Sequence, residues 1–411
     1  MTSSDIAVLG AGVVGLSVAL RLADEGHAVT LIAPEDTGDG ASYGNAGVIA
    51  DYAVLPVGTP DVLRNLPSLL FDRLSPLAIR RSALLSLLPW LARFAWQSRP
   101  GPARRNARAI AGLLADAAAE WRAQADRIGG AGVLRQRGSL YLYEKPSDIS
   151  DAALEWQRGL GVSVERIGRD ELGQLEPGLP AGAAIGAAYF PNTMTLSDPG
   201  QMLRLLAAAV PGAGVARITA RATGLERGAG GVTVRCDDGT GLRARRVVIA
   251  AGAWSRPLAR MAGDRVPLDT EAGYHIEFDI EAQPLTRQLT PVARGFYFCP
   301  MAGRLRVAGT VELGGLDKPP SAHRVAVLEA GARAILPDLP PPDRHWRGFR
   351  PSLPDSLPVI GPSRGGAQVI HAFGHGHLGV TLAPVTARIV ADLVAGRAPG
   401  IDLAPYRPGR F

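Results

Sequence analysis

The residues with the clearest chemical meaning in this sequence are three closely spaced glycines, Gly10, Gly12 and Gly15. They follow an apolar strand pattern at residues 6–9 and open a helical pattern at residues 13–25. In such a unit the first glycine allows a tight turn, the second lets the backbone approach a pyrophosphate, and the third lets helix and strand pack closely. The free N–H groups and the positive dipole end of the helix then face the phosphates. The pattern therefore predicts a dinucleotide site. The residues expected to form it are Gly10, Gly12, Val13, Val14 and Gly15.

The carboxylate that usually binds the adenosine ribose is missing from its expected position. It should end the second strand pattern, at residues 28–32, but Ala33 stands there. Glu35 is the nearest substitute, and Asp36 is the alternative. Because no Lys or Arg lies between residues 30 and 52, the sequence does not favour the 2′-phosphate of NADP.

Three further regions identify the kind of dinucleotide by resemblance. They are Gly40-Ala-Ser-Tyr-Gly-Asn-Ala-Gly47, Val248-Ile-Ala-Ala-Gly-Ala-Trp-Ser255, and a C-terminal region that reads WRGFRPSLPDSLPVIG at 346–361 and AFGHGHLGVTLAP at 372–384. In this order they resemble the FAD-dependent D-amino-acid oxidase superfamily. The most similar branch is that of bacterial D-amino-acid dehydrogenases and glycine oxidases, which includes enzymes acting on D-hydroxyproline. The resemblance covers nearly the whole chain and is weakest over residues 55–130.

The resemblance implies an α/β fold with two domains. A Rossmann-type FAD-binding domain would be built from separate chain segments, and an α+β substrate domain with an antiparallel sheet would be inserted between them. The FAD-binding segments expected are 1–50, 195–258 and 345–411. The substrate domain is expected at 51–194 and 259–344, with a helical part at 60–128.

The resemblance also implies which residues would bind FAD. The loop at 42–48 would pass the pyrophosphate and reach the flavin, and the backbone near Ala222 would contact adenine. Because that loop contains no Cys or His, FAD should be held non-covalently. The remaining cofactor residues expected are Ala33, Pro34, Glu35, Ser42, Asn45, Ala46, Gly47, Val48, Ala222, Ala251, Gly252, Trp254, Gly374, His375, Gly376, His377, Leu378, Gly379 and Thr381.

Four residues are candidates for substrate chemistry. Arg350 matches the arginine that binds the substrate carboxylate in glycine oxidase, and a guanidinium can do so through two parallel charge-assisted bonds. Tyr297 matches a tyrosine that helps to hold that carboxylate, and Tyr274 is a second candidate. His377 stands where glycine oxidase has an arginine near the substrate, which weakens any small-substrate assignment. The glycine-rich turn at 374–379 opens a helix whose N–H groups could stabilise negative charge on reduced flavin.

The resemblance implies oxidative deamination of a D-amino acid or a cyclic imino acid, such as D-proline or D-hydroxyproline, by hydride transfer from Cα to flavin N5. A flavoenzyme acting on another amine, such as sarcosine or glycine, is the first alternative. An FAD subunit that only relays electrons in a larger complex is the second. Arg350 and Tyr297 distinguish them, since a relay has no need of a carboxylate clamp. The flavin-type turn near the C-terminus argues against a third alternative, an NAD-linked dehydrogenase.

Composition excludes several other classes. The 411 residues are 46% apolar and 20% charged, as in ordinary globular proteins. All but two of the 44 basic residues are arginine, yet no dense basic run is interleaved with aromatics, so nucleic acid is not expected as a partner. The two cysteines, Cys236 and Cys299, are too few for a disulfide framework and lack neighbouring metal ligands. We therefore expect no metal site, and we expect the protein to work in a reducing compartment.

The remaining expectations concern location and partners. The N-terminus does not read as a signal peptide, and the apolar stretch at 83–96 is too short to span a bilayer. A cytoplasmic protein is therefore expected, with a position on the inner membrane as the alternative. Leucines and arginines interleave at residues 60–105. An ordinary amphipathic subdomain is one interpretation, and contact with an anionic membrane or a partner subunit is the other. A dehydrogenase that reduces quinone would need such contact.

Overall fold

The first sheet is organised around two parallel strands that lie far apart in the sequence. The structure is a computed structural model that describes residues 2–34, 40–65, 75 and 77–411. Strand β1 (Thr2–Leu9) pairs with β13 (Gly241–Ile249) so that Leu9 lies opposite Ile249. The strands order as β10-β2-β1-β13-β12-β11, while β20 pairs with β13 and β19 pairs with β20. The other members are β2 (Val29–Ala33), β10 (Ala216–Thr219), β11 (Ala222–Gly228), β12 (Gly231–Cys236), β19 (Val359–Ser363) and β20 (Gly366–Phe373).

Helices cover this sheet because its central strands are apolar on both faces. Every residue of β2 is buried, as is expected of a strand that needs cover on both sides. The helix that follows β1 packs against the last long helix of the chain, and their apolar faces share one core with β1. The helices of this layer are α1 (Val13–Asp24), α8 (Pro199–Gly212), α9 (Ser255–Met261) and α11 (Gly379–Ala395).

The second sheet is mainly antiparallel and orders as β18-β14-β17-β16-β15-β6-β8-β7, with β4 paired to β17. One face packs on α10 (Ala322–Ile335) around an aromatic and aliphatic core. Its other face turns towards the first sheet. The strands are β4 (Leu77–Ile79), β6 (Ser139–Tyr143), β7 (Glu165–Gly168), β8 (Gly186–Phe190), β14 (Asp269–Asp279), β15 (Gln288–Pro291), β16 (Phe296–Met301), β17 (Arg304–Leu313) and β18 (Arg344–Ser352).

A third, small sheet joins the two parts. Strands β3 (Val48–Ile49) and β5 (Leu134–Gln136) flank β9 (Met194–Leu196). The helices between the sheets are α2 (Pro60–Arg64), α3 (Leu84–Gln97), α4 (Pro100–Leu114), α5 (Ala117–Arg127), α6 (Asp151–Arg158) and α7 (Arg169–Leu175).

Two predicted boundaries differ from the structure. Residues 345–352 were expected with the first sheet, but β18 pairs with β14 in the second. The helical part at 60–128 was expected with the second sheet, but α4 and α5 pack on α11. The indole of Trp121 is fully buried there and donates a hydrogen bond to the carbonyl of Val380, 2.8 Å away. Both differences arise because the packing partners lie far apart in sequence, about 70–80 residues for β18 with β14 and more than 200 for α4 and α5 with α11.

One helix could cross a membrane by length and composition alone. It runs over Gly376–Ala395 with a mean hydropathy of 1.6, but 67% of its apolar window is buried inside the protein. It is the central core helix of the first layer, and a core helix meets the same criteria as a spanning one.

Candidate active site

A cavity of about 790 Å³ lies between the two sheets. One end is formed by the glycine turn after β1 and by the backbone at the ends of β2 and β11. The other end is formed by β14, β16, β17 and β18 of the second sheet, together with the turn before α11. A cleft between two layers with convergent polar groups is the usual form of a ligand site.

The glycine turn has the geometry that its sequence predicts. Gly10 has a φ of +110°, and a Cβ there would lie 2.5 Å from the carbonyl oxygen of Ala250. A Cβ on Gly15 would lie 1.8 Å from the carbonyl oxygen of Gly10, so only glycine fits. Gly12 caps α1 without a side-chain hydrogen bond, which leaves the helix N-terminus available to an anion. Gly10, Gly12, Val13 and Val14 line the cavity, whereas Gly15 supports the turn from behind.

The loop at 42–48 lies directly against this helix N-terminus. The Ser42 hydroxyl accepts a hydrogen bond of 3.0 Å from the Val13 N–H. The Asn45 side chain fixes the loop, since its amide donates to the Ser42 carbonyl and its oxygen accepts from the Gly47 N–H. The predicted residues of this loop that line the cavity are Ser42, Asn45, Ala46 and Val48. Gly47 is placed behind the loop, where it contacts β9.

The nucleotide end of the cavity includes several predicted positions. Ala33 and Pro34 line it, while Glu35 and Asp36 lie outside the described residues. Ala222 also lines it, as do its neighbours Ala220, Arg221 and Thr223, which the sequence did not single out. Ala251, Gly252 and Trp254 form the next stretch of wall, and the Trp254 side chain is 45% exposed.

The turn before α11 separates two histidines with different surroundings. His375 is buried, and its Nε2 lies 2.9 Å from the Thr386 hydroxyl. Burial lowers the pKa of His375 to about 4, so it is a neutral structural side chain. His377 is half-buried, and its Nε2 lies 2.7 Å from Glu271 Oε2. The residues of this turn that line the cavity are Gly374, His375, Gly376, His377 and Gly379.

Two predicted residues of this region do not reach the cavity. Leu378 belongs to a core cluster beneath α11. Thr381 is buried in the first turn of α11, where its hydroxyl accepts from the Ala50 N–H at 3.1 Å and donates to the Val48 carbonyl at 3.3 Å. Thr381 therefore anchors the loop that forms the cavity wall.

Strand alternation decides which side chains of β14 face the cavity. Glu271, Gly273 and His275 lie on one face of this strand, and the residues between them lie on the other. The opposite face, which includes Tyr274, packs into the core of the second sheet. The Tyr274 hydroxyl donates to Glu312 Oε1 at 3.0 Å and accepts from the Ser321 N–H at 3.1 Å. The assignment of Tyr274 to the site is therefore not supported, because the strand points it away from the cavity.

Arg350 reaches the cavity across the face of β14. Its guanidinium occupies the space that a side chain on Gly273 would fill, 2.4 Å from the position of a Cβ. One N–H donates to the carbonyl of Thr310 at 3.1 Å, and Thr310 itself has a strained φ of +57°. No carboxylate of the described chain lies within ion-pair distance of Arg350. Burial lowers the pKa of this guanidinium, although Glu271 and Tyr297 oppose the shift.

Tyr297 lies beside Arg350 and belongs to a group of phenols. Its hydroxyl is hydrogen-bonded to that of Tyr141, whose ring packs edge-on against Tyr52 at 5.3 Å. Burial raises the pKa of all three phenols, so each keeps its proton. Tyr297 and Tyr52 both line the cavity. The predicted pair of Arg350 and Tyr297 is thus brought together, with Tyr52 and Tyr141 behind it.

Comparison with known proteins agrees with this arrangement. The model of the FAD-dependent oxidoreductase family DAO matches residues 5–393. The chain belongs to this family. A D-amino-acid oxidase of Bradyrhizobium diazoefficiens is 35% identical over 99% of this chain and 98% of that protein. A D-amino acid dehydrogenase of Ralstonia nicotianae is 33% identical over 98% of this chain and all of the relative. The crystal structure of glycine oxidase from Geobacillus kaustophilus superposes with a TM-score of 0.80 at 25% identity, over the full length of both chains.

Family membership confirms the α/β fold class, the FAD dependence and the oxidation of CH–NH groups. The described residues of this FAD-dependent oxidoreductase fit the cofactor. Two helices, α1 and α11, begin at the same cavity, and in neither does the residue before the helix cap it with its own side chain. At α1 the Val13 N–H donates to the Ser42 hydroxyl. The N-terminus of α1 suits the pyrophosphate, and that of α11 suits the electron-rich side of a reduced flavin. Among the described residues no cluster of three or more His, Cys, Asp or Glu could hold a metal.

Several residues of the flavoenzyme's site were not found from the sequence. Glu271 is buried and pairs with His377, 106 positions away. His275 stacks on Trp346 with ring centroids 4.9 Å apart, and its Nδ1 lies 2.9 Å from the carbonyl oxygen of Gly44. Alternation in β14 would have placed Glu271 and His275 on the same face as Gly273, which lines the cavity. Their partners depend on tertiary contacts that no local pattern specifies.

Proposed function

We propose that this flavoenzyme oxidises D-amino acids or cyclic imino acids, of the D-proline or D-hydroxyproline kind. The observation that carries the proposal is Arg350. It is a cation placed in a cavity of low polarity, and within the described chain its guanidinium donates a hydrogen bond to the backbone carbonyl of Thr310. An unpaired buried charge is costly, so such a site favours an anionic ligand. The carboxylate of an amino acid supplies that anion.

Arg350 and Tyr297 together would fix the orientation of the substrate. The guanidinium can give two parallel bonds to a carboxylate, and the protonated Tyr297 phenol can donate a further one. Because both side chains project from the second sheet, the Cα of a bound amino acid would face the layer that holds the flavin. Orientation of this kind is the main contribution that a protein makes to cofactor chemistry.

His377 and Glu271 would prepare the amine. Bound FAD would accept the hydride from Cα. The imine formed from an α-amino acid is then hydrolysed by water to a keto acid and ammonia, whereas a cyclic imine keeps its nitrogen bonded within the ring. The amine must first be neutral, since its nitrogen lone pair assists departure of the hydride. The Glu271 carboxylate accepts a hydrogen bond from His377 Nε2–H, which leaves Nδ1 of the imidazole as an acceptor. We assign His377 Nδ1 as the group that takes the ammonium proton of the substrate.

A second candidate function is oxidation of another small amine, such as the secondary amine sarcosine or the primary amine glycine. It is supported by the structural likeness to the Geobacillus kaustophilus glycine oxidase. It is disfavoured by His377, which stands where that class carries an arginine near the substrate. A relay subunit is less consistent with the site, because electron relay gives no reason to place Arg350 and Tyr297 together over the cofactor cavity.

Anaerobic bleaching of the flavin tests the proposal. Purified protein loaded with FAD would be mixed with D-proline, 4-hydroxy-D-proline, other D-amino acids, glycine, sarcosine and L-amino acids. Loss of oxidised-flavin absorbance with D-forms or cyclic imino acids is the expected result. Selective bleaching by sarcosine or glycine would favour the second candidate, and no bleaching by any amino acid would refute both. Admission of air afterwards distinguishes an oxidase, whose colour returns quickly, from a dehydrogenase.

A further inference from the structure

Helix α3 presents an apolar face to solvent. Four of the eight large hydrophobic side chains that are exposed in the described chain lie on it. Leu84, Leu85, Leu88 and Trp96 are 45%, 82%, 51% and 57% exposed. At 100° per residue these four positions fall within one third of the helix circumference. They form a continuous stripe, which we call the α3 stripe.

The stripe is not the packing face of the helix. The opposite side carries Leu87 and Trp90, which are buried in a separate small core with Leu313 of β17. Helix α3 is therefore apolar on both faces, which is typical of a helix covered on both sides. The part of the chain that the structure describes covers only the face that carries Leu87 and Trp90.

The charge around the α3 stripe has a single sign. Residues 77–115 contain seven arginines and no acidic residue. Arg81 precedes the stripe, Arg93 lies beside it, and Arg99 stacks over the Trp96 ring at 3.3 Å from its centroid. Arg104, Arg105 and Arg108 are exposed on the next helix, α4, which packs against α3. Of these arginines only Arg80 forms an ion pair within the described chain.

We propose that the α3 stripe docks the protein on an anionic phospholipid surface. An apolar stripe bordered by unpaired arginines matches acyl chains bordered by negative headgroups. Trp96 with Arg99 on its face is an amphipathic pair that suits the headgroup boundary. A second copy of this chain is a poorer occupant, because a two-fold contact would bring the same arginines from both copies together.

Vesicle flotation of the full-length holoenzyme tests the proposal. The probes are vesicles of phosphatidylcholine alone and vesicles with phosphatidylglycerol added. We expect flotation with the anionic vesicles and a strong decrease at high salt. Leu85→Gln with Leu88→Gln should lower the bound fraction about tenfold or more, since it removes two apolar anchors. Arg81→Gln should lower the partition constant by roughly fivefold at low salt.

Matched controls separate docking from general surface effects. Val292→Gln alters an exposed apolar side chain on the second sheet, and Arg265→Gln alters an exposed arginine far along the chain. Both should float like the parent protein. Flavin absorbance and turnover with a soluble dye should be unchanged in every variant, because the α3 stripe lies outside the cavity. Flotation and flavin absorbance need no substrate, so failure of the docking proposal can be told apart from failure of the proposed function.

Three results would overturn the proposal. The parent protein could fail to float with anionic vesicles. The Leu85/Leu88 double variant could float as well as the parent. The parent could be a dimer in solution that the same double variant converts to monomer, in which case a second copy covers the α3 stripe.

Discussion

His377 Nε2 lies 2.7 Å from Glu271 Oε2 at the substrate end of the cavity. Burial acts to raise the pKa of Glu271, but His377, Arg350 and Ser352 outweigh it and hold that pKa below its ordinary value. Glu271 is therefore ionised, and it fixes the ring so that Nε2 carries a proton. The pair connects the turn before α11 with β14 of the second sheet. Its position is the basis for the proposal that His377 takes the proton from the substrate amine.

Replacement of His377 by Asn should change the pH dependence of turnover. Without an acceptor in the site, only the fraction of substrate whose amine is neutral in solution can react. The value of kcat/KM should then fall about a hundredfold at pH 7 and rise about tenfold per pH unit until the free amine itself deprotonates. Glu271→Gln should cause a smaller loss of the same kind. Steady-state rates from pH 6 to 10, with anaerobic flavin reduction, measure this.

The matched control for that experiment is His345→Asn, at an exposed position on β18. It should leave the pH profile unchanged. A His377→Asn protein with lower activity but a parental pH profile would show that His377 only supports the cavity wall, and the assignment of Nδ1 as proton acceptor would be wrong.

Arg350→Met should abolish recognition of the carboxylate. Loss of a desolvated charge partner costs about 2–5 kcal/mol, which predicts a decrease in kcat/KM on the order of 10²- to 10³-fold. Arg350→Lys keeps the charge but loses the planar fork, so it should recover only part of the activity. The decisive measurement is the rate with a D-amino acid relative to the amine that lacks its carboxylate. Parent protein should prefer the amino acid strongly, and Arg350→Met should not.

Arg265→Met serves as the control for that substitution, since Arg265 is exposed and lies outside the cavity. It should keep the parental preference. An Arg350→Met protein that binds FAD and still discriminates against the amine would locate carboxylate recognition elsewhere.

The sequence predicted the parts of the site that depend on backbone constraints. A glycine turn leaves a spacing signature because a Cβ at Gly10 or Gly15 would collide with the backbone. Arg350 was found by resemblance rather than by physics, since an isolated arginine among so many carries no local signal. Tyr274 was a candidate for the site with a core role as the alternative, and it lies in the core. The alternation of β14, which puts Glu271 and Tyr274 on opposite faces, could have favoured that alternative.

What could not be predicted depends on contacts between distant segments. Glu271 and His377 are both ordinary in their local contexts, and only the packing of β14 against the turn before α11 joins them. The boundary at residue 345 failed for the same reason, because the pairing partner of β18 is β14. Local sequence patterns specify individual helices and strands. Which of them pack together depends on how the whole hydrophobic core is assembled.

Gly15→Ala should eliminate FAD binding. The added methyl would lie 1.8 Å from the carbonyl oxygen of Gly10, so the turn must move away from α1. We expect colourless protein, or insoluble protein that refolds without flavin uptake. Gly212→Ala is the control, because its Cβ would meet nothing within 4 Å at the end of α8. It should keep full FAD content and gain slightly in stability. If the Gly15→Ala protein had the flavin content of the parent, the glycine turn would not be the site that binds the FAD pyrophosphate.

The stability of the protein should decrease as pH falls from 7 to 5 because of His275. Burial, together with the charge of Arg306, lowers the pKa of His275 to about 3, although the Gly44 carbonyl and Glu277 oppose the shift. The unfolded chain takes up a proton below about pH 6.5 and the folded chain does not, so stability is lost as pH falls. The expected contribution to the free energy of unfolding between pH 7 and 5 is about 2 kcal/mol.

The variant His275→Asn keeps a hydrogen-bond donor for the Gly44 carbonyl but has no group that titrates in this range. Urea unfolding should therefore show a pH dependence reduced by about that amount, with the part due to His375 remaining. Equal pH dependence in parent and variant would mean that His275 takes up its proton over the same pH range in the folded and the unfolded protein.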